Sequence, residues 1–171
     1  LQALELDALR FRADAAINAA IRDAARRPGA HLVEAVEFLA ARDAAEQGIL
    51  GDALLYEHVH LNFDGQYLLA LAVLEKIETL LPASIKARAA AGSRWASRDR
   101  CAELLAFTEH EALKSLEEIL EMRSAPPFTG QERHAETLDR WRRVAVELRA
   151  RAGGSDGARR TVEALRAALR A

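Results

Sequence analysis

Cysteine is almost missing from this chain of 171 residues: Cys101 stands alone. That rules out an intramolecular disulfide and a metal site built from several thiolates, and it leaves the redox compartment open. A solitary cysteine of this kind reads as a small core residue. Long hydrophobic runs are missing too. The richest, YLLALAVL at 67–74, is eight residues long, well short of the roughly 18 to 20 needed to span a bilayer. Nor is there a dominant charge: 24 Lys and Arg against 26 Asp and Glu leave a formal −2. No run of like charge exceeds a few residues, so neither a nucleic-acid groove nor a membrane-bound basic helix is expected. Leu1 follows neither a methionine nor a basic signal-peptide region. The chain therefore reads as part of a longer, soluble, cytoplasmic protein.

What is present is apolar periodicity. Half of the residues are hydrophobic, enough to bury a core in one compact domain or two small ones. Leu9, Ala13, Ile17, Ile21 and Ala24 recur at about the helical repeat, predicting an amphipathic helix stopped by Pro28 and Gly29. The short apolar run 32–36 fits either one buried strand or the start of another helix, because periodicity cannot decide over so few residues. Gly48 and Gly51 mark an irregular loop. Tyr67, Leu68, Leu71, Leu74, Ile77 and Leu81 then predict a helix buried around most of its girth and ended by Pro82. Residues 83–100, Ala-rich, cationic and broken by Gly92, read as a short helix plus a linker between segments 1–82 and 101–171.

In the C-terminal segment two hydroxyl residues are each answered three positions later by Glu, the pattern of a capping box. Thr108 with Glu111 opens a helix through Leu113, Leu116, Ile119 and Leu120. Thr129 with Glu132 opens another through Leu138, Trp141, Ala145 and Leu148. After GGSDG a last helix follows, with Ser155 as its expected cap. The grammar is a mainly α chain, a helix-hairpin array or bundle with at most one or two short strands. Its pieces do not repeat at the roughly 34-residue tetratricopeptide period.

The chemically distinctive stretch is LLYEHVHLNFDGQY, 54–67, where Glu57, His58 and His60 stand among aromatics just before the strongest helix. Three readings compete. Glu57 and His60 form one E-x-x-H, the helical spacing of di-iron bundles, but such a site needs two of these motifs and two further carboxylates. A zinc site from His58, His60 and a distant third ligand is a variant of that metal-binding bundle; His31, His110 and His134 stand apart and read as surface or cap residues. In the second reading His60 is a general base whose other ring nitrogen is steadied by Glu57, with Asn62 and Asp64 capping the next helix and Gly65 easing the chain into it. In the third, two histidines beside Tyr56, Phe63 and Tyr67 are ordinary packing beneath a helix N-terminus. Trp95 and Trp141, set among arginines, read as cover for apolar surface rather than as stacking platforms.

The block EHVHLNFDGQYLLA resembles the last sequence block of SGNH (GDSL-type) hydrolases, whose pattern is D-x-x-H followed by a short polar stretch, a Gly and a helix. The resemblance implies that His60 is the catalytic base and that Glu57 replaces the Asp that orients it. Its span, roughly 5–82, would then be the C-terminal part of an α/β/α domain, and the activity that of an esterase or carbohydrate O-deacetylase. SAPPFTGQ and the helices around it resemble the segment joining such domains to tetratricopeptide repeats in bacterial multidomain proteins. No G-D-S nucleophile block is present, and none of Ser84, Ser93, Ser97, Ser115, Ser124 or Ser155 follows a strand and a Gly-Asp pair. The oxyanion blocks are absent as well, and they supply the largest catalytic term in such chemistry. The leading expectation is therefore a non-catalytic interaction or scaffold module with a remnant hydrolase motif, protein partners, no cofactor and no metal. Self-association through the helix at 66–81 is a further expectation.

Overall fold

The computed structural model describes residues 13–42, 51–57, 59–88, 95–153 and 156–170. The chain separates into two compact units, Leu1–Ser93 and Arg94–Ala171. Both are helical, and among the described residues there is no β-strand, only an isolated antiparallel bridge between Leu55 and Leu61.

In the first unit α1 spans Ala15–Ala24. It starts later than the periodicity predicts because buried Asp14 is extended and caps it, its carboxylate accepting the Ile17 N–H at 2.8 Å. Ala13 thus lies before the helix, and Leu9 lies outside the described residues. Ile17 and Ile21 are both exposed. The ambiguous run 32–36 forms no strand: 32–34 is irregular, and only its end enters α2, Ala35–Ala40, which buries Leu39. With no neighbouring strand to pair with, its backbone groups are satisfied internally. Arg22 of α1 clamps the start of α2, reaching Glu34 at 3.0 Å and Glu37 at 2.7 Å. Arg42, after α2, bonds Glu75 at 3.3 Å and lies 3.4 Å over the Phe38 ring.

Glu75 belongs to α3, Phe63–Leu80, which is capped by Asn62 and ends where Leu81 turns extended before Pro82. The girth of α3 is less buried than its composition predicts. Only Gly65 and Ala72 are fully buried, and Val73, Ile77 and Leu80 face outward. Helix α4, Ala83–Lys86, closes the described part of this unit; Gly92 and the 48–50 loop lie outside it.

The second unit begins within the stretch read as linker, whose two ends are helical: α4 at one and α5, Arg98–Leu104, at the other. Ser97 caps α5 at 3.2 Å. Helix α6, Glu109–Arg123, opens on Thr108, whose hydroxyl accepts the Glu111 N–H at 3.5 Å, the threonine half of the expected capping box. The second box does not form. Residues Phe128–Gly130 make a tight 3-10 turn that buries Phe128, so Thr129 is spent before any helix begins. Helix α7 starts only at His134, after Arg133 adopts a left-handed φ of 57°.

Helices α6 and α7 (His134–Ala152) form an antiparallel hairpin. Leu113, Leu116 and Arg123 on one side meet Leu138, Trp141, Ala145 and Ala152 on the other, spaced three, four or seven apart as in a coiled-coil seam. Across it Arg149 bonds Glu117 and Arg151 reaches Glu109 at 3.0 Å. Helix α8, Asp156–Ala168, returns over the hairpin's open end. Gly153 ends α7 with φ 72°, and the Arg160 guanidinium satisfies the carbonyls of Arg151 and Ala152 that a helix end leaves unpaired. A Cβ on Gly157 would stand 2.8 Å from the Ala152 carbonyl oxygen and 3.0 Å from His110 Nδ1, so glycine is what lets α8 approach this closely. Thr108 and Thr161 share a 2.7 Å hydroxyl bond at the same corner. Ser155 lies outside the described residues.

Candidate functional site

Residues 54–62 close on themselves just before α3. The Tyr56 N–H donates to the His60 carbonyl at 2.9 Å and the Asn62 N–H to the Leu54 carbonyl at 3.0 Å, around the Leu55–Leu61 bridge. Leu54 and Leu55 anchor the loop in the core. Asn62 works twice: its Oδ1 accepts the Gly65 N–H at 3.0 Å, capping α3, while its Nδ2 donates to the Ala53 carbonyl at 2.8 Å. Gly65 is more than a flexible entry to the helix. A Cβ there would collide with the Leu54 carbonyl oxygen and stand 2.8 Å from Leu61 Cδ2.

Glu57 sits inside this loop, its side chain 1% exposed. A carboxylate is costly to bury unless donors surround it, and the loop supplies them. The Val59 N–H donates to Oε2 at 3.0 Å and the His60 N–H to Oε1 at 2.7 Å. The same Oε1 lies against His60 Nδ1 in a short contact. His60 itself projects outward, its side chain 54% exposed. A carboxylate on Nδ1 selects the tautomer protonated there and leaves Nε2 with its lone pair. The expected pairing of Glu57 with His60 is thus present. Among the described residues, however, no hydroxyl hydrogen-bonds to that ring, and His58 lies outside them. Within the loop the Tyr56 hydroxyl is pushed above its ordinary pKa, first by burial and then by the Asp64 carboxylate, so the phenol stays neutral.

The remaining histidines do not join this site. His31 is exposed, whereas His110 and His134, expected as surface or cap residues, are half-buried in the first turns of α6 and α7. His110 packs its ring against Gly157, and His134 Nδ1 is buried without a hydrogen-bond partner at the start of α7. Among the described residues no three His, Cys, Asp or Glu side chains stand together as a metal would need. Trp141 is core, with the Arg140 guanidinium 5.6 Å from its ring centre, while Trp95 is exposed.

No family model, curated protein or solved structure matches the chain.

One feature escaped the reading of the sequence. Val162, Leu165 and Leu169 on α8 are 47, 49 and 80% exposed. Similar exposed pairs or triads occur on α1 (Ile17, Ile21) and α3 (Val73, Ile77, Leu80). The signal was available in ARRTVEALRAALR, where these side chains recur at steps of three and four. Periodicity does not tell an apolar face packed on its own core from one turned outward.

Proposed function

We propose that the chain is a non-catalytic helical interaction module, of the kind a tetratricopeptide-containing protein uses to hold partners, and that its Glu57–His60 pair is a hydrolase motif kept for its structural work. The observation that carries this reading is the outward-facing apolar side chains at helical spacing on α1, α3 and α8. Exposed faces of that kind are the usual groove or ridge in helix-mediated recognition. The Glu57 carboxylate supports it, since its bonds to the Val59 and His60 amides fold the loop that launches α3. A photo-crosslinker placed at Ile77 and at Leu165 in the full chain should trap discrete protein adducts. Their absence at both positions would remove the basis for the reading.

A second reading is favoured by the contact between Glu57 and the exposed imidazole of His60. In it the pair is the acid–base half of an SGNH-type esterase or O-deacetylase whose serine is supplied from outside this chain. Nitrophenyl acetate turnover by the parent protein, lost in His60→Ala, would establish it over the first. No turnover leaves the interaction reading in place.

A further inference from the structure

Resting on the interaction reading, we infer that the outer face of α8 is a docking seam for an amphipathic helix of another protein whose flanks are acidic. Ala158, Val162, Leu165 and Leu169 are all exposed and follow one another at steps of four, three and four. That is the alternation of a coiled-coil seam, the stripe on which a partner helix packs. The adjacent face of α8, Gly157, Thr161, Ala164 and Ala168, is turned into its own unit, with Thr161 bonded to Thr108 and Gly157 against His110. The seam is therefore held on the hairpin by the opposite face of the same helix.

Charge along the open side of the seam selects the partner. The residues that follow Ala158 and Leu165 are Arg159 and Arg166, the two flanking positions that would face a docked helix. Arg166 makes no ion pair among the described residues. Arg159 has only Asp156, 3.5 Å away, and both side chains are about two-thirds in water, a pair weak enough to exchange for a better acceptor. A second copy of α8 laid antiparallel would bring the same arginine flank against itself, and like charges at these positions reject a pairing. A partner with Glu or Asp there gains two complementary pairs. A membrane surface fits less well, because the stripe is one residue wide and carries no aromatic, whereas interfacial helices present a broader apolar face.

The test uses the full chain and two synthetic helical peptides of about three heptads, alike in their leucine seam but carrying either Glu or Lys at every flanking position. By fluorescence anisotropy the Glu peptide should bind about tenfold more tightly than the Lys peptide, with the gap narrowing as salt is raised. Arg159→Glu with Arg166→Glu should reverse the preference, and Leu165→Glu, at an exposed position, should abolish both bindings while circular dichroism stays unchanged. Equal binding of the two peptides, lost in Leu165→Glu, would overturn the acidic-partner inference and leave the interaction reading standing. Self-association in sedimentation that Leu165→Glu removes, or sedimentation with phosphatidylserine vesicles, would replace the inferred partner with a second copy or a membrane. Binding of neither peptide, with a crosslinked adduct still formed at Ile77, defeats the α8 seam alone; loss of adducts at both crosslinking positions defeats the interaction reading as well.

Discussion

Glu57 holds His60 by two handles: its Oε1 accepts the His60 backbone N–H at 2.7 Å and also lies against Nδ1 of the same residue. A carboxylate used this way folds a loop and orients a ring at once. The two jobs separate under mutation.

Replacing Glu57 by Ala strips a buried acceptor from the part-buried Val59 and His60 amides, and the loss of two hydrogen bonds to a charged group should cost about 1–3 kcal/mol. His60→Ala leaves those two bonds in place and removes a half-exposed ring, so its cost should stay below about 1 kcal/mol. Urea unfolding distinguishes them. Hydrogen exchange at the Val59 and His60 amides should quicken in the first variant and not in the second. Equal costs would show that the ring, rather than the amide bonds, holds the loop.

Gly65→Ala sets helix propensity against packing. Alanine is the better helix former by about 1 kcal/mol, yet its Cβ would meet the Leu54 carbonyl oxygen, a backbone atom fixed by the Asn62 N–H. Overpacking of this kind costs about 1–3 kcal/mol, so the net effect should be destabilising. A rise in melting temperature would mean that the 54–62 loop yields easily.

Leu116 is the most completely buried large side chain among the described residues. Leu116→Ala should cost about 2–5 kcal/mol through lost burial and the cavity left behind. Val162→Ala, on the outer seam of α8, should lie within about 0.5 kcal/mol of the parent. Guanidinium titration of both variants checks the assignment of one residue to the core and the other to a binding face.

The Glu34 carboxyl is held below its ordinary pKa, first by the Arg22 hydrogen bond and further by the charge of that guanidinium. A depressed carboxyl contributes stability that is fully present above its unfolded pKa and disappears as the pH falls through the folded one. The clamp between α1 and α2 should therefore loosen only in acid. Because the pair is exposed, it should also weaken with salt. Carboxyl NMR titration should show the Glu34 midpoint move up in Arg22→Gln. An unmoved midpoint would remove Arg22 as its cause.

Composition and periodicity alone determined that the chain is mainly helical, that no helix among the described residues is long and apolar enough to cross a membrane, and that the strongest helices lie at α3, α6, α7 and α8. These are local properties, set by apolar spacing and by caps such as Asn62 and Thr108 that act within one turn. The Glu57–His60 contact was legible for the same reason, with three residues of separation and one loop to hold them. Tertiary structure decided the rest. Residues 35–40 are helical with Leu39 packed inward, and Thr129 caps no helix because it sits inside the 3-10 turn that buries Phe128. Whether Leu116 or Val162 faces water depends on which helices pack together. Their spacing in sequence is alike, and only long-range packing, which no short window of residues encodes, tells a core from an interface.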